Sequence, residues 1–305
     1  MGRGVLGLVL AAGAVLSGQT PPGQIAPKDR KFESSVELTS ITASVFDSAG
    51  HLVKGLSREA FDVYEDGELQ QVSQFTNERV PIGLGVLLDM SDSMFGERIQ
   101  DARAVVNRFL FEDLDQSDEF FILAFNHKPH MITQWTKQPD VVKRALDSLI
   151  PNGGTALYDA VMEGLGMIER RSNQRASLVI ISDGSDTASN ATIRDVRSAL
   201  LRSEAFTFAV AIDSPDRRAI NSRVNPTTLR EITDQSGGRT EVVHTTPELQ
   251  AATDRIAEEL NSQYLLGYSS THAADGQFHS IRVRVRGSDY KVRARNGYVA
   301  GGRKK

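Results

Sequence analysis

A chain of 305 residues, 40% hydrophobic and 24% charged, is long enough for one large domain or two ordinary ones. With 35 Lys and Arg against 39 Asp and Glu, its net charge of −4 gives no bulk attraction to nucleic acid, and no nucleic-acid partner is expected. It has no cysteine, which excludes disulfides, thiolate metal sites and thiol nucleophiles; any metal must be held by oxygen or imidazole.

Residues 1–18 read as a signal peptide. Arg3 supplies a short basic region, and the apolar run from Val5 to Leu16 is too short for a comfortable membrane span. The small residues at Ser17 and Gly18 suit cleavage. The alternative is an uncleaved anchor, the one expected route to a membrane, because no later segment is long and apolar enough to cross one. The expected location is therefore the periplasm or the exterior. Residues 19–33 are Pro-rich and polar, a flexible leader.

Residues 34–80 read as β structure. Ser35–Asp47 is rich in β-branched residues, and the stretch Leu56–Phe61 reads as a short helical turn capped by Ser57. Asp66-Gly67 between two alternating runs signals a hairpin. From residue 81 the pattern changes to continuous apolar runs, such as Ile82–Asp89, Glu119–Phe125, Ala176–Asp183 and Phe206–Asp213. Segments with helical spacing lie between them. That alternation predicts a mostly parallel, doubly wound sheet over residues 81–262. Within it, Asn126–Met131 reads as a loop, its His127 and His130 as surface histidines, and Trp135 as near-core. The six histidines look scattered.

Residues 263–300 return to β. Ile281, Val283 and Val285 alternate with Arg282, Arg284 and Arg286. After a turn at Gly287-Ser288-Asp289, Tyr290, Val292 and Ala294 alternate with Lys291, Arg293 and Arg295. The expectation is a hairpin with one apolar and one basic face, the latter solvated and balanced by Glu37, Glu65, Asp66 or Glu68. Its functional alternative is a dock for an anionic partner. Neither flanking β segment can build a core alone. The economical fold class is an α/β Rossmann-like domain inserted into a smaller β-sandwich-like domain made from both ends of the chain, with residues 301–305 a disordered tail.

In an open α/β sheet, ligands gather at the carboxyl ends of the strands. Two strands end there in acids, Asp89 and Asp183. Ser91 and Ser93 follow Asp89 at alternate positions, and Thr155 stands in a Gly-rich loop before a helix. Two carboxylates and three hydroxyls are hard oxygen donors, suited to Mg2+, and also to Ca2+ or Mn2+. Such a set leaves a divalent ion little more than neutralised, with room for an acidic group from another molecule.

The Asp-x-Ser-x-Ser sequence at 89–93, Thr155 after Gly153-Gly154, and Asp183 after an apolar strand resemble the metal-ion-dependent adhesion site of von Willebrand factor type A domains. Residues 82–262 match in spacing and strand order. The flanking β segments resemble exported acidobacterial-type von Willebrand factor A-related proteins. The resemblance implies a bound Mg2+ held by Asp89, Ser91, Ser93, Thr155 and Asp183, and a non-catalytic binding protein that captures an exposed Asp or Glu of a protein partner. One position departs from the pattern: Asp92 stands where Gly is frequent.

Two other functions are open to the sequence. Asp89 could serve as the nucleophile of a Mg2+-dependent phosphatase, but a second acid is wanted two residues later, where Ser91 stands. No P-loop or nucleophile elbow is present either. A scaffold whose metal only stabilises its loops is the other alternative.

Overall fold

The computed structural model describes residues 38–213, 224–270, 272, 275–287 and 289–301. The expected signal segment 1–18, the leader 19–33 and nearly all of the tail lie outside them. Fourteen strands and six α-helices build three sheets in the described residues.

The central sheet has the order β10-β9-β8-β5-β6-β7. Strand β5 is Ile82–Asp89, β6 is Glu119–Phe125, β8 is Arg175–Ser182, β9 is Phe206–Ile212 and β10 is Thr240–Val243, all parallel to one another. Strands β5, β6, β8 and β9 are buried along their whole length, as continuous apolar runs covered on both faces must be. The edge strand β7, Pro129–Thr136, runs antiparallel to β6. It replaces the loop expected from Asn126 onwards. Its half-exposed residues and the irregular register against β6 leave no clean alternation to read.

Helices cover both faces. On one, α1 (Glu97–Arg108), α2 (Asp140–Ser148) and α6 (Thr246–Asn261) pack on Leu84, Val86 and Leu88. On the other, α3 (Leu157–Ile168), α4 (Ile193–Arg202) and α5 (Pro226–Ser236) pack on Leu87, Phe121 and Leu178. Glycine fits the second face closely. A Cβ at Gly85 would stand 2.4 Å from Phe121, and one at Gly164 on α3 2.9 Å from Leu87. Trp135 fills the same layer, edge-on to Phe121 with centroids 4.7 Å apart, and donates to the carbonyl of Met167.

The chain leaves β5 for β6 on one side, and β8 lies on the other, so the strand order reverses between β5 and β8. Loops leaving these two strands diverge and open a crevice at their carboxyl ends. Asp89 ends β5, and Asp183 directly follows β8.

The other strands form two antiparallel sheets, β13-β1-β11-β4 and β14-β12-β2-β3. Strands β1 (Leu38–Phe46), β2 (Phe61–Glu65), β3 (Glu68–Gln70) and β4 (Val72–Thr76) come from before the α/β region. Strands β11 (Tyr264–Ser269), β12 (Phe278–Val285), β13 (Lys291–Ala294) and β14 (Gly297–Val299) come from after it. Each sheet mixes the two sources, and both bury residues in one core of Ile41, Val45, Val63, Tyr264, Leu266, Tyr268, Ile281 and Val283. The Asp66-Gly67 turn between β2 and β3 has positive φ at both residues, 50° and 89°, matching the twist of a two-residue hairpin. Ser57 precedes a 3-10 turn at Arg58–Ala60, but its side chain makes no cap bond.

The expected hairpin of β12 with β13 does not form. Strand β12 pairs with β2 and β14, whereas β13 pairs with β1 in the opposite sheet. The two strands lie in different sheets over one core, so both keep their alternation while their basic residues part company. On β12, Arg282 lies over Tyr64, and Arg286 just after the strand pairs with Asp62. On β13, Arg293 pairs with the buried Glu259 of α6, with Nη2 2.9 Å from Oε2. Glu65 and Asp66, expected to balance the arginines, face histidines instead.

Candidate functional site

Three loops interlock at the carboxyl end of the central sheet. The β5 loop meets the Gly-rich loop where Asn152 N–H donates to the carbonyl of Met90 at 2.8 Å and Asp92 N–H to Gly153 at 3.0 Å. The Gly-rich loop meets the β8 loop where Thr187 and Ala188 N–H both donate to Thr155 O, at 2.8 and 3.0 Å, and Thr155 N–H donates to Thr187 Oγ1. This lacing gathers the three loops that carry Asp89, Ser91, Ser93, Thr155 and Asp183, which are distant in sequence. All but Ser93 are buried.

Asp89 is fully buried. Its Oδ1 accepts Ser91 N–H at 2.9 Å and its Oδ2 the hydroxyl of Ser182 at 2.5 Å. The Ser91 and Ser93 hydroxyls are 3.0 Å apart, so their side chains converge as alternate positions of a tight loop should. Asp183 Oδ1 accepts Ser185 N–H, while its Oδ2 is buried without a hydrogen-bond partner. Burial, and then the neighbouring negative charge of Asp183, push the Asp89 carboxyl up to about 7, against the hydrogen bonds from Ser182 and Ser91. Two acids sharing one dry crevice repel each other, and the crevice is short of positive charge.

Sequence reasoning missed Arg98. It lies in the first turn of α1, buried, with Nη1 3.6 Å from Asp183 Oδ2 and donating to Ser93 O at 3.0 Å. An Arg near the start of an amphipathic helix reads as solvent-facing; only its placement over the β8 loop gives it away. It offsets one of the two acidic groups. Asp92 is exposed, with no positive φ, so neither the crevice nor the backbone requires Gly there. Phe95, also exposed, stands beside the loop as an apolar neighbour.

The donor set tests well against a hard divalent cation. A carboxylate oxygen without a hydrogen-bond partner, a second carboxyl whose pKa is raised by burial and by its acidic neighbour, and paired hydroxyls are groups that such an ion would satisfy together. The Asp89 carboxylate has no exposed surface, and Ser91, where a phosphatase would carry its general acid, donates its backbone N–H to it.

His127 and His130 are exposed beside the Gly-rich loop, with ring centroids 6.1 Å apart. A different pair, His272 and His279, is stacked in the β-sandwich at 4.0 Å.

A family model for the von Willebrand factor type A domain matches residues 84–185. Inter-alpha-trypsin inhibitor heavy chain H2 of Mesocricetus auratus is 24% identical over 120 residues, 35% of this chain and 13% of that protein, so the match spans about an eighth of the curated relative's length. A von Willebrand factor type A structure from Catenulispora acidiphila superposes with a TM-score of 0.51 at 12% identity, covering 87% of this chain and 75% of that one. An aerotolerance-related membrane protein from Bacteroides fragilis does so with a TM-score of 0.51 at 18% identity, covering 59% and 98%. At these identities the structural likeness carries the fold alone. The matched segment runs from β5 through the Asp-x-Ser-x-Ser loop and the Gly-rich loop to β8, and over it this chain is similar to the von Willebrand factor type A domain, whose α/β fold it shares.

Proposed function

We propose that this chain is an exported, non-catalytic binding protein whose crevice holds a divalent cation, Mg2+ foremost and Ca2+ or Mn2+ as alternatives, to capture an acidic side chain of a protein partner. The observation that carries the reading is the pair of buried acids, Asp89 and Asp183, with an orphaned oxygen on the second. Asp89, Ser91, Ser93, Thr155 and Asp183 would hold the ion. When bound, it supplies an electropositive coordination position open to a carboxylate.

The charge balance supports this. Two carboxylates and one guanidinium leave about one negative charge, which a divalent ion turns into one positive charge. Exposed Phe95 beside the loop adds apolar contact for a partner whose acid enters there. The laced loops hold the donors on the ends of rigid strands, so little ordering remains to oppose binding.

A second reading, a scaffold without partner capture, draws on Arg98. A buried guanidinium already offsets Asp183 in part, so the crevice is tolerable without an ion. Export and the division into an α/β domain (81–262) inserted in a β domain (34–80 with 263–300) are proposals on the same footing, the latter supported by sheets that mix both chain ends.

The test is a crosslinked pull-down from the native envelope in Mg2+ and in chelator. The binding reading expects a partner captured in Mg2+ and lost in chelator and with Asp89→Ala. Equal capture in chelator overturns it.

A further inference from the structure

One corner of the β-sandwich carries a cluster of different chemistry from the crevice. The hairpin turn after β2 presents Asp66, β12 presents the buried His279, and the segment between β11 and β12 presents the half-exposed His272. One ring nitrogen from each histidine and a carboxylate oxygen of Asp66 lie within 4.8 Å of one another. The imidazole rings stack with centroids 4.0 Å apart and planes 25° apart.

Each ring is also held from behind by a carboxylate. Nδ1 of His272 faces Glu65 Oε2 at 3.1 Å, and Nε2 of His279 faces Asp275 Oδ1 at 3.3 Å. Glu65 is itself fixed: it is fully buried and accepts from Tyr268 at 2.8 Å, Tyr298 at 2.7 Å and Ser270 at 3.0 Å. A buried acid spending three hydroxyl donors to orient one imidazole is more structure than a surface hydrogen bond needs. Carboxylates that orient histidines from the far side are the usual outer layer of a metal site.

We propose that His272, His279 and Asp66 form a second metal site, separate from the crevice, that takes a borderline divalent transition ion such as Zn2+. Two imidazoles and one carboxylate suit Zn2+, with Ni2+, Co2+ and Cu2+ as chemical neighbours, and disfavour Mg2+ and Ca2+. His279 Nδ1 and Asp66 Oδ2, 2.8 Å apart, share a proton that the ion displaces. Ligation by His272 falls to Nε2, since Nδ1 faces Glu65. Ligand atoms of a tetrahedral zinc stand ~3.4 Å apart. The hydrogen-bonded pair must therefore open slightly, and the half-exposed His272 must close in. Asp66 and His272 both reach solvent, which gives the ion an entry path and a fourth, water-filled position.

The site would fasten the β2–β3 turn to β12 and to the segment after β11. It would thus clamp together chain from before and after the α/β region, and it does not depend on the reading of the crevice.

The experiment is a Zn2+ titration of the untagged full chain by calorimetry, in Mg2+ buffer, followed by X-ray absorption of the 1:1 complex. The expected result is one Zn2+ per chain with two imidazole ligands. His272→Gln, at a half-exposed position that leaves the fold intact, should weaken binding at least ~10-fold. His130→Gln should leave it unchanged. Failure to bind Zn2+, equal affinity in wild type and His272→Gln, or a spectrum with fewer than two imidazoles would overturn the proposal.

Discussion

The guanidinium of Arg98 stands 3.6 Å from the carboxylate of Asp183, both side chains almost wholly buried. A cation fixed beside the acids supports Asp183 when no ion is bound and repels an ion when one is. Arg98→Met should therefore do two opposite things. Unfolding in chelator should show a loss of about 3 kcal/mol, because Asp183 is left buried and uncompensated. Calorimetry should show Mg2+ bound roughly tenfold more tightly, since one positive charge has left the crevice.

The raised carboxyl of Asp89 makes stability depend on pH. Its folded value of about 7 lies above the unfolded value of 3.8, so the folded state binds the extra proton between them. The contribution is full below the unfolded value and is lost as pH rises through about 7. In chelator the chain should lose roughly 3 kcal/mol between pH 4 and pH 8 from this group. In Mg2+ the loss should shrink, because the ion takes the proton's place. Urea unfolding across that range, with and without Mg2+, checks both.

Asp113 closes the widened π turn that follows α1. Its Oδ2 is buried without a partner, and burial pushes the carboxyl up to about 6 despite Arg108, with Asp254 and Glu112 adding repulsion. Asp113→Asn removes the charge and keeps the shape. It should raise stability at pH 8 by about 1 kcal/mol, a figure discounted for solvent screening of a half-exposed group, and leave it unchanged at pH 4. Denaturation midpoints at the two pH values decide it.

Glu259, in the last turn of α6, is fully buried against Arg293 of β13 and Arg239. Arg293→Met should cost about 2 kcal/mol by leaving that acid with only the more distant Arg239, 3.6 Å away. Adding Glu259→Gln should restore much of it, because the stranded charge is gone. A double-mutant cycle in urea measures the coupling between the final helix and the sheet behind it.

The central fold was legible because strands buried on both faces leave runs such as Ile82–Asp89 that little else produces. The meeting of the three loops that carry Asp89, Thr155 and Asp183 was legible for the same reason, since strand ends fix where loops must meet. The edge strand β7 was not, being half exposed and irregular against β6. Pairing of β12 with β13 was misread because alternation shows which face a residue takes and not which sheet the strand joins. Arg98 and the His272–His279 pair were hidden for a common reason. Each depends on contacts between distant segments, and no local spacing records them.

The most direct test of the central claim is Mg2+ binding to the full chain by calorimetry, wild type against Asp183→Asn. The account predicts one Mg2+ per wild-type chain, held by the crevice, and an affinity at least ~10-fold weaker in the variant. Absence of Mg2+ binding to the wild type, or equal affinity in the two proteins, would contradict it.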